Sequence, residues 1–367
     1  MKIDSVTAYV FQIPLKTPFR ISAGEIRVKD GILFACRSGD YVGWGEAAVD
    51  EVPFYAHETV GSVLDIARKV LAPQLQSRDF AGAQELVALF DTHRGNRFAK
   101  TALEAAFWDL LGKTRGTPVA RLLGGVRTEV ESGPSIGIKP TPEQTVATVA
   151  EQLAQGRRRI KIKVAPGRDT AYIRAVREAF PDITLMVDAN NAYTPADFDH
   201  LAEWDAFNLL MIEQPLDEGD IYFHSQLKKR IKTPVCLDES IHTLHDTQVA
   251  IALGACDIIN IKICRVGGLC HARKIHDACQ KAGIINWIGS RVGTGVAVAA
   301  RLAAASWPNC SLPTDAGLCS MYMADDLTTA PYPVHDGCMV QVPDTPGMGF
   351  QIDMEKLKRY TVWSGEL

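Results

Sequence analysis

Six charged residues in the middle of the chain lie at or near the end of a short apolar run. They are Lys161, Lys163, Asp188, Glu213, Asp238 and Lys262. The three acids follow one another at intervals of 25 residues, and the last lysine comes 24 residues after the last acid. Carboxylates held close together need a shared cation, and a set without histidine or thiolate favours a hard ion that prefers oxygen. We therefore predict a Mg²⁺ site, with Mn²⁺ as an alternative, flanked by lysines.

A spacing near 25 residues is typical of one buried strand followed by one covering helix. Continuous apolar runs are what a buried parallel sheet requires. The runs lie at 133–138, 160–164, 185–188, 210–213, 235–238, 259–262, 283–288 and 309–312. If these strands close into a barrel, the charged residues meet at its carboxyl-terminal rim, where barrel enzymes carry their chemistry. The pattern predicts an α/β fold, a modified TIM barrel of the (β/α)7β type.

Lys161 and Lys163 are separated by one residue, so on a strand both side chains point to the same side. We expect them to face the barrel interior, whereas the arginines at 157–159, just before them, are interpreted as a solvated rim. Mutual repulsion, burial and a nearby metal ion favour a neutral amine, which is how a lysine becomes a general base near neutral pH. Lys262 would lie on the opposite side of the barrel mouth. A lysine on each face of a bound substrate suits removal of a proton next to a carboxylate, with the metal taking up the developing negative charge.

Strand and helix signals predict an α+β capping domain over residues 1–125. Residues 1–50 alternate like an antiparallel meander, and helical patterns follow. The helices are expected at about 56–75, 80–91 and 97–113. The segment 14–24, which contains prolines, a glycine and Phe19, is predicted to be a mobile flap.

The barrel domain is predicted over residues 126–324, with helices that begin after Thr141 and Thr194. The remaining residues, about 325–367, are rich in proline and glycine and lack clear periodicity. We expect this tail to return to the capping domain and complete it.

Composition excludes several classes of protein. A net charge of −4 over 367 residues gives no electrostatic case for nucleic acid or an anionic membrane, and no apolar run is long enough to span a bilayer. The first residues alternate like a strand and lack the apolar core of a signal peptide. Nine cysteines without a Cys-x-x-Cys pair indicate buried thiols in a reducing cytosol. We expect a cytoplasmic protein whose partner is a small molecule.

Several segments together resemble the enolase superfamily. In the first domain they are Gly43-Trp-Gly-Glu46, Phe107-Trp-Asp-Leu-Leu-Gly-Lys113 and Leu122-Leu-Gly-Gly125. In the second they lie at 159–169, 187–194, 212–216, 236–240 and 260–268. The Lys-x-Lys on the second barrel strand and the lysine on the sixth are similar to the muconate-lactonising subgroup. Within it, the chain most resembles the branch of o-succinylbenzoate synthases and N-acylamino acid racemases.

The resemblance implies roles for particular residues. Lys163 and Lys262 would be the acid/base pair, and Lys161 an electrostatic helper near the substrate carboxylate. The three acids would bind Mg²⁺, supported by Asn190 and Glu239. The first domain would cover the barrel mouth, with segments 14–24 and 50–55 touching the substrate. The substrate contacts would be Phe19, Ser135, Arg265, Ser290 and Arg291. A homo-oligomer, from dimer to octamer, is also implied.

The chain departs from this branch in the segment after the seventh strand. Gly293 stands where relatives usually have a glutamate, and Arg291 adds a cation. Arg291 would either bind a second anionic group of the substrate or be a solvated loop residue. Arg265 matches an arginine of the branch and would either contact substrate or anchor its loop. The altered pocket wall leaves the substrate open.

The expected function is Mg²⁺-dependent abstraction of the α-proton of a carboxylate through a metal-stabilised enolate. N-acylamino acid racemisation and the o-succinylbenzoate type of dehydration are favoured. Muconate-type cycloisomerisation is an alternative, and so is dipeptide epimerisation, although the Asp-x-Asp usual in such epimerases is here the single acid Asp315. A metal-binding barrel without catalysis is the alternative of another class.

Overall fold

The computed structural model describes residues 1–21, 24–53, 55–316 and 319–367, and begins with the predicted antiparallel meander. Its strands pair in sequence order and are β1 (Ser5–Ile21), β2 (Gly24–Ser38) and β3 (Tyr41–Ala47). Alternate residues of β1, among them Val6, Ala8 and Val10, are buried. One face of the sheet therefore packs on the helices of the first domain, as alternation requires.

The segment 14–21 of the predicted flap is part of this sheet. Strand β1 continues to Ile21, and its register with β2 shifts between Pro14 and Phe19, where the proline cannot donate to the ladder. Phe19 packs edge-on against Tyr322 with ring centroids 5.5 Å apart. Residues 22 and 23 of the predicted flap lie outside the described residues. The segment is therefore strand as far as Ile21, Phe19 lies near the barrel mouth as expected, and the mobility of the flap stays a prediction.

The first domain has the three predicted helical regions, with one π-helical turn at Ala67–Leu71. The α-helices are α1 (Val60–Ile66), α2 (Ala72–Gln76), α3 (Ala83–Phe90), α4 (Arg97–Thr114) and the short α5 (Val119–Leu122). Helix α4 is buried along nearly its whole length, and β3 lies directly on it. A Cβ at Gly45 would come 1.9 Å from the carbonyl oxygen of Ala102, so only glycine permits this approach.

The predicted parallel strands form one curled seven-stranded sheet in sequence order. A short strand precedes it, and the strands are β4 (Glu129–Glu131), then β5 (Ser135–Ile136), β6 (Arg159–Lys163), β7 (Thr184–Asp188), β8 (Ile212–Glu213), β9 (Val235–Leu237), β10 (Ile258–Ile261) and β11 (Ile285–Ile288). The connecting helices are α6 (Pro142–Ala154), α7 (Thr170–Ala179), α8 (Phe198–Ala202), α9 (Ile221–Lys228), α10 (Leu244–Leu253), α11 (Ile263–Val266), α12 (Leu269–Ala282) and α13 (Gly295–Ala305). The Thr141 side chain accepts from the N–H of Gln144, and Thr194 forms a capping box with Asp197, as predicted.

The predicted eighth strand at 309–312 does not form a ladder in the described residues. The segment makes only isolated parallel bridges, Asn286 with Cys310 on one side and Ser132 with Thr314 on the other. The first strand, predicted at 133–138, is likewise only two residues long. The segment still spans the gap between the two edges of the sheet, so the predicted α/β class and barrel-like closure hold.

The tail contains more regular structure than predicted. It begins after a 3₁₀ turn at Cys319–Met321 and contains β12 (Val334–His335), β13 (Met339–Gln341), α14 (Met354–Tyr360) and β14 (Thr361–Glu366). Strands β12 and β13 join β4 in a small sheet beside the barrel, and β14 pairs with β1. The return of the tail to the first domain is therefore observed, whereas the domain boundaries stay predictions. In the part of the chain described, every helix is too short or too polar to cross a bilayer.

Candidate active site

The predicted charged residues meet at the carboxyl ends of adjacent strands. Lys161 and Lys163 are on β6, Asp188 ends β7, Glu213 ends β8, and Asp238 and Lys262 directly follow β9 and β10. All three carboxylates are fully buried. The regular spacing in the sequence thus becomes proximity in space, because each strand–helix unit advances the chain by one strand around the barrel.

The alternation of β6 points both of its lysines inward. Ile160 and Ile162 are buried in the apolar layer formed with the covering helices. Lys161 and Lys163 line the cavity at the barrel mouth. The predicted orientation is observed.

The three lysines are each paired with acids of this cluster. The Nζ of Lys161 lies 3.1 Å from Glu213 and 3.4 Å from Asp188, and it also contacts Asp315. The Nζ of Lys163 lies 2.6 Å from Asp188 and 2.8 Å from the side-chain oxygen of Asn190. Lys262 is paired with Asp238. Lys163 and Lys262 therefore stand beside different carboxylates, with β7, β8 and β9 between their strands.

Around Lys161 and Lys262, the carboxylates act against the neutral form of the amine. Burial lowers the pKa of Lys161, but Asp315, Glu213 and Asp188 outweigh it and hold that pKa well above its usual value. At Lys262, burial is likewise outweighed by Asp238, so its pKa is also raised. Neutral lysines were predicted beside a metal ion that neutralises the acids. Without that positive charge, the carboxylates stabilise the ammonium form.

The cluster has the donor chemistry of a Mg²⁺ site. Asp188, Glu213 and Asp238 offer only oxygen, and one oxygen of the neighbouring Glu239, Oε2, is buried without a hydrogen-bond partner among the described residues. As these side chains stand, no group of three or more acidic, histidine or cysteine residues in the described ranges is close enough to hold an ion. The ammonium group of Lys161 lies among the carboxylates. The residue types fit the ion.

Loop backbones at this rim hold unusual conformations. Asn190, Asn191 and Gln214 follow the strand ends with φ of 44°, 65° and 39°. Asparagine tolerates this left-handed region, whereas for glutamine it is strained, and such strain is common at functional sites. Gln214 is held by accepting from the N–H groups of Asp238 and Ser240. It was missed in the sequence and fixes the loop that carries the third acid.

Asn190 and Glu239 are positioned as the resemblance implied. The amide nitrogen of Asn190 donates to Glu239 at 2.9 Å, and its backbone N–H donates to Asp188 at 3.1 Å. Glu239 also accepts from the hydroxyl of Tyr55, a residue of the capping domain, at 2.9 Å. Lys262 donates to the same hydroxyl at 2.5 Å. The phenol therefore joins the capping domain to the cluster, a link that the sequence did not reveal.

Arg159 and Asp315 form a buried ion pair that contradicts the prediction of a solvated arginine rim. Arg159 is 1% exposed, and its Nη2 lies 2.6 Å from Asp315. Asp315 in turn contacts Lys161. Arg157 is also buried. The sequence signal was available, because Arg159 is two residues before Lys161 and so points to the same side of β6.

Four of the five predicted substrate contacts line the cavity. They are Phe19, Ser135, Ser290 and Arg291. The hydroxyl oxygen of Ser135 is buried without a hydrogen-bond partner in the described part of the chain. Arg291 is not a solvated loop residue, because only 8% of its side chain is exposed and it is paired with Asp50. Residue 54 of the predicted 50–55 contact loop lies outside the described residues.

Arg265 is placed differently from the prediction of a substrate contact. It lies behind Asp238, with which it forms an ion pair, and its Nε donates to the carbonyl oxygen of Ile241. It lines a separate cavity between the capping domain and the barrel rather than the one that holds the three lysines. Its observed role is to anchor the acid and the loop after β9.

Matches to known proteins extend along nearly the whole chain. Residues 5–124 match the N-terminal domain of the mandelate racemase / muconate lactonizing enzyme family, and residues 144–356 match the enolase C-terminal domain-like family. An o-succinylbenzoate synthase of Geobacillus kaustophilus is 43% identical over 98% of this chain and 96% of the relative. An N-succinylamino acid racemase of Amycolatopsis is 40% identical over the full length of both. A crystal structure of an enolase-superfamily member from Listeria innocua superposes with a TM-score of 0.96 at 34% identity, covering 100% of this chain and 99% of the other.

Proposed function

The chain belongs to the mandelate racemase / muconate lactonizing enzyme family of the enolase superfamily, and from that premise we propose that it is a Mg²⁺-dependent enzyme that abstracts the α-proton of a carboxylate substrate. The favoured reactions are racemisation of an N-acyl amino acid and the dehydration that gives o-succinylbenzoate. Relatives named for both reactions align along almost the whole chain. The enzyme is then an isomerase or a lyase.

The observation that carries the proposal is the pair of lysines in one cavity. Lys163 and Lys262 both line it, and their strands are separated by three others around the curled sheet. A substrate bound between them would present opposite faces of its α-carbon to the two amines. One lysine can then remove the proton and the other can return one, which inverts the configuration. Lys161, buried and fixed by Asp315, is suited to hold the substrate carboxylate and not to exchange protons.

Asp188, Glu213 and Asp238 are the residues that would hold Mg²⁺, because they offer oxygen ligands from three adjacent strands. When bound, the ion would stabilise the negative charge that develops on the substrate carboxylate as the α-proton leaves. Lys163 and Lys262, which stand beside Asp188 and Asp238, would then remove the α-proton and return one.

The structure bears on the alternative reactions. Asp315 is buried and engaged by Arg159 and Lys161, so it is not available to bind a substrate ammonium group. That weighs against dipeptide epimerisation, although an L-Ala-D/L-Glu epimerase is 26% identical over 95% of this chain. Muconate-type cycloisomerisation remains the second candidate, because it needs the same metal and lysines.

The decisive experiment is exchange of the α-proton in D₂O. N-acyl amino acids of both configurations are incubated with the protein and Mg²⁺, and the α-proton signal is followed by NMR. We expect exchange for both enantiomers, accompanied by loss of optical rotation. Dehydration to o-succinylbenzoate is measured in parallel by absorbance. If no carboxylate in a broad panel exchanges its proton, the protein is a metal-binding barrel without catalysis.

A cytoplasmic location and a homo-oligomeric state, between dimer and octamer, complete the proposal. All nine cysteines fall among the described residues and are free thiols, which suits a reducing compartment. The proposed partner is a small-molecule carboxylate, with no role for nucleic acid or a membrane surface. Gel filtration with light scattering measures the oligomer size.

A further inference from the structure

Helix α4 of the capping domain contacts the segment that follows Lys262 at two points. Thr101 and Glu104 of α4 are three residues apart and so share one face of the helix. The hydroxyl of Thr101 donates to the carbonyl oxygen of Ile263 at 3.2 Å. Glu104 accepts from the backbone N–H of Cys270 at 2.9 Å. A helix of the first domain therefore contacts both ends of the short segment that joins β10 to α12.

Lys262 is fixed to this segment by its own backbone. It directly precedes α11, and its carbonyl oxygen accepts from the N–H groups of Arg265 and Val266 at 3.0 and 3.1 Å. The N–H of Gly268 donates to the carbonyl oxygen of Ile263 at 3.0 Å, which closes the segment before α12 begins. Because α11 is a single turn joined to α12 by two glycines, a shift at the start of α12 is passed on to the backbone of the lysine.

Glu104 is a fully buried acid that fits closely against this segment. Its Oε1 accepts from the N–H of Cys270 and, at 3.0 Å, from the indole N–H of Trp108. Its Oε2 is buried and has no hydrogen-bond partner in the described part of the chain. A Cβ at Gly268, where φ is 122°, would come 1.5 Å from that Oε2, so the approach requires glycine. The fit between the acid and the glycine sets the separation of α4 from the start of α12.

The contact with Cys270 is a helix cap that another domain supplies. Cys270 is the second residue of α12, so its N–H has no acceptor within that helix. The residue before α12 is Gly268, which has no side chain to provide one. The carboxyl oxygen of Glu104 accepts instead, at the positive end of the helix dipole. Helix α12 of the barrel thus begins at a point that the capping domain fixes.

The other proposed base is held from within the barrel. The segment after Lys163 forms a bridge between Ala165 and Arg168 and leads to Asp169, which caps α7. The carboxylate of Asp169 also accepts from the hydroxyl of Tyr193, after β7, at 2.9 Å. The two lysines are therefore aligned by contacts from different domains.

We propose that Glu104 is a positioning residue for proton transfer by Lys262. It acts through the start of α12 and the single turn of α11, and Thr101 supports it from the same face of α4. The proposal rests on the proposed function, because it takes Lys262 to be one of two bases. The capping domain then has a role besides covering the cavity, since it aligns one of the two proton-transfer groups.

The test measures α-proton exchange in D₂O separately for the two enantiomers of N-succinyl-phenylalanine. Glu104→Met keeps the length of the side chain and removes both oxygens, so the N–H of Cys270 loses its acceptor. We expect kcat to fall by about 10- to 100-fold, the effect of a misplacement near 1 Å, for the enantiomer that depends on Lys262. Lys262→Ala identifies that enantiomer. Exchange of the other enantiomer, and the KM of both, should be unchanged.

Two further variants separate positioning from a general loss of structure. Burial raises the pKa of Glu104, so glutamine is its close neutral analogue, and Glu104→Gln keeps an oxygen for Cys270 and should retain most of the rate. Asp109→Asn is the matched control on the same helix. Asp109 is 1% exposed and accepts from the N–H groups of Trp44 and Met348, in β3 and the tail, so the ratio of the two exchange rates should equal that of the unchanged protein. Equal slowing of both enantiomers in Glu104→Met, or no slowing of either, overturns the proposal.

Hydrogen–deuterium exchange of the backbone amides, followed by mass spectrometry, separates this proposal from the proposed function. Glu104→Met should exchange faster than the unchanged protein over residues 263–270 and equally fast over 164–170. If no carboxylate loses its α-proton in the unchanged protein, the reaction proposed above is wrong, and equal amide exchange over 263–270 would then overturn the positioning as well. If the amides of 263–270 lose protection but both enantiomers keep their full rates, the reaction stands and the positioning role is wrong.

Discussion

The two ends of the cavity hold charge in opposite ways. At the barrel end, the carboxylates of Asp188, Glu213 and Asp238 are buried among three lysines and are suited to a divalent cation. At the capping end, Lys29 and Arg291 share the single carboxylate of Asp50. The first cluster comes from strands that follow one another around the barrel, and the second joins Asp50 to Arg291, 241 residues further along the chain. The first cluster is suited to the reaction, and the second links the capping domain to the barrel.

The largest expected effect tests the barrel end. Lys163→Ala or Lys262→Ala should lower the rate of α-proton exchange by about 100- to 10,000-fold, the usual contribution of a general base. Each variant should mainly affect the enantiomer whose proton faces the missing amine. NMR of the separate enantiomers in D₂O measures this, and Lys69→Ala, which changes a 68% exposed lysine, is the control. Full activity in either variant would remove the two-base assignment.

The next largest effect is on the stability of the barrel end, compared with that of an exposed ion pair. Asp238→Asn leaves Lys262 and Arg265 buried without their carboxylate, so we expect the free energy of unfolding to fall by about 3–5 kcal/mol. Asp65→Asn breaks an exposed pair with Lys69 and should cost at most about 0.5 kcal/mol. Urea denaturation followed by circular dichroism measures both. Equal losses of unfolding free energy would mean that the buried cluster stabilises the protein no more than an exposed ion pair does.

Mg²⁺ should stabilise the protein through the barrel end of the cavity alone. Mg²⁺ at 100 times its dissociation constant should stabilise the protein by about 2.7 kcal/mol through mass action, and a chelator should reverse this. Glu213→Gln removes one proposed ligand and should abolish most of the shift, whereas Asp50→Asn should keep it. Differential scanning fluorimetry with and without Mg²⁺ measures the change. If Asp50→Asn loses the stabilisation by Mg²⁺ and Glu213→Gln keeps it, the ion binds at the capping end and the proposed ligands are wrong.

The smallest expected effect is a dependence on pH at the capping end. Burial raises the pKa of Asp50, but Lys29 and Arg291 outweigh it and hold that pKa below its ordinary value of 3.8. A carboxyl whose pKa is lower in the folded state stabilises the fold above the unfolded pKa and loses that contribution as the pH falls. Asp50→Asn should therefore be less stable than the unchanged protein by about 1–3 kcal/mol near neutrality. Urea titrations should show that difference shrinking below pH 3.8, and a constant difference would contradict the assignment.

The same contrast explains what could be predicted from the sequence. The six charged residues of the barrel end were found because a strand–helix repeat converts equal spacing into adjacency. The cluster at the capping end could not be found in this way, because Lys29 and Asp50 of the first domain meet Arg291 only through the packing of one domain on the other. Arg159 was wrongly predicted to be solvated for a related reason. Its partner Asp315 lies beyond the seventh strand, and a run of three arginines is ordinarily solvated.

Local chemistry was harder to predict than topology. The eighth strand was predicted from an apolar run, but the segment at 309–312 makes bridges too sparse for a ladder. Neutral lysines were predicted beside a bound metal ion, whereas the surrounding acids alone hold the pKa of Lys161 and that of Lys262 above their usual values. Tyr55 lies in the segment 50–55 that was expected to touch the substrate, but no pattern revealed the contact of its phenol with residues more than 180 positions away.

The pairing of β1 with β14 carries a consequence for biosynthesis. Strand β1 leaves the ribosome early, yet its outer neighbour is residues 361–366. During translation one edge of the first-domain sheet therefore stays unpaired until the whole barrel has been synthesised. An unpaired edge of this kind invites association between nascent chains. Because β14 is made last, the barrel can be complete before β14 pairs with β1 and finishes the sheet of the first domain.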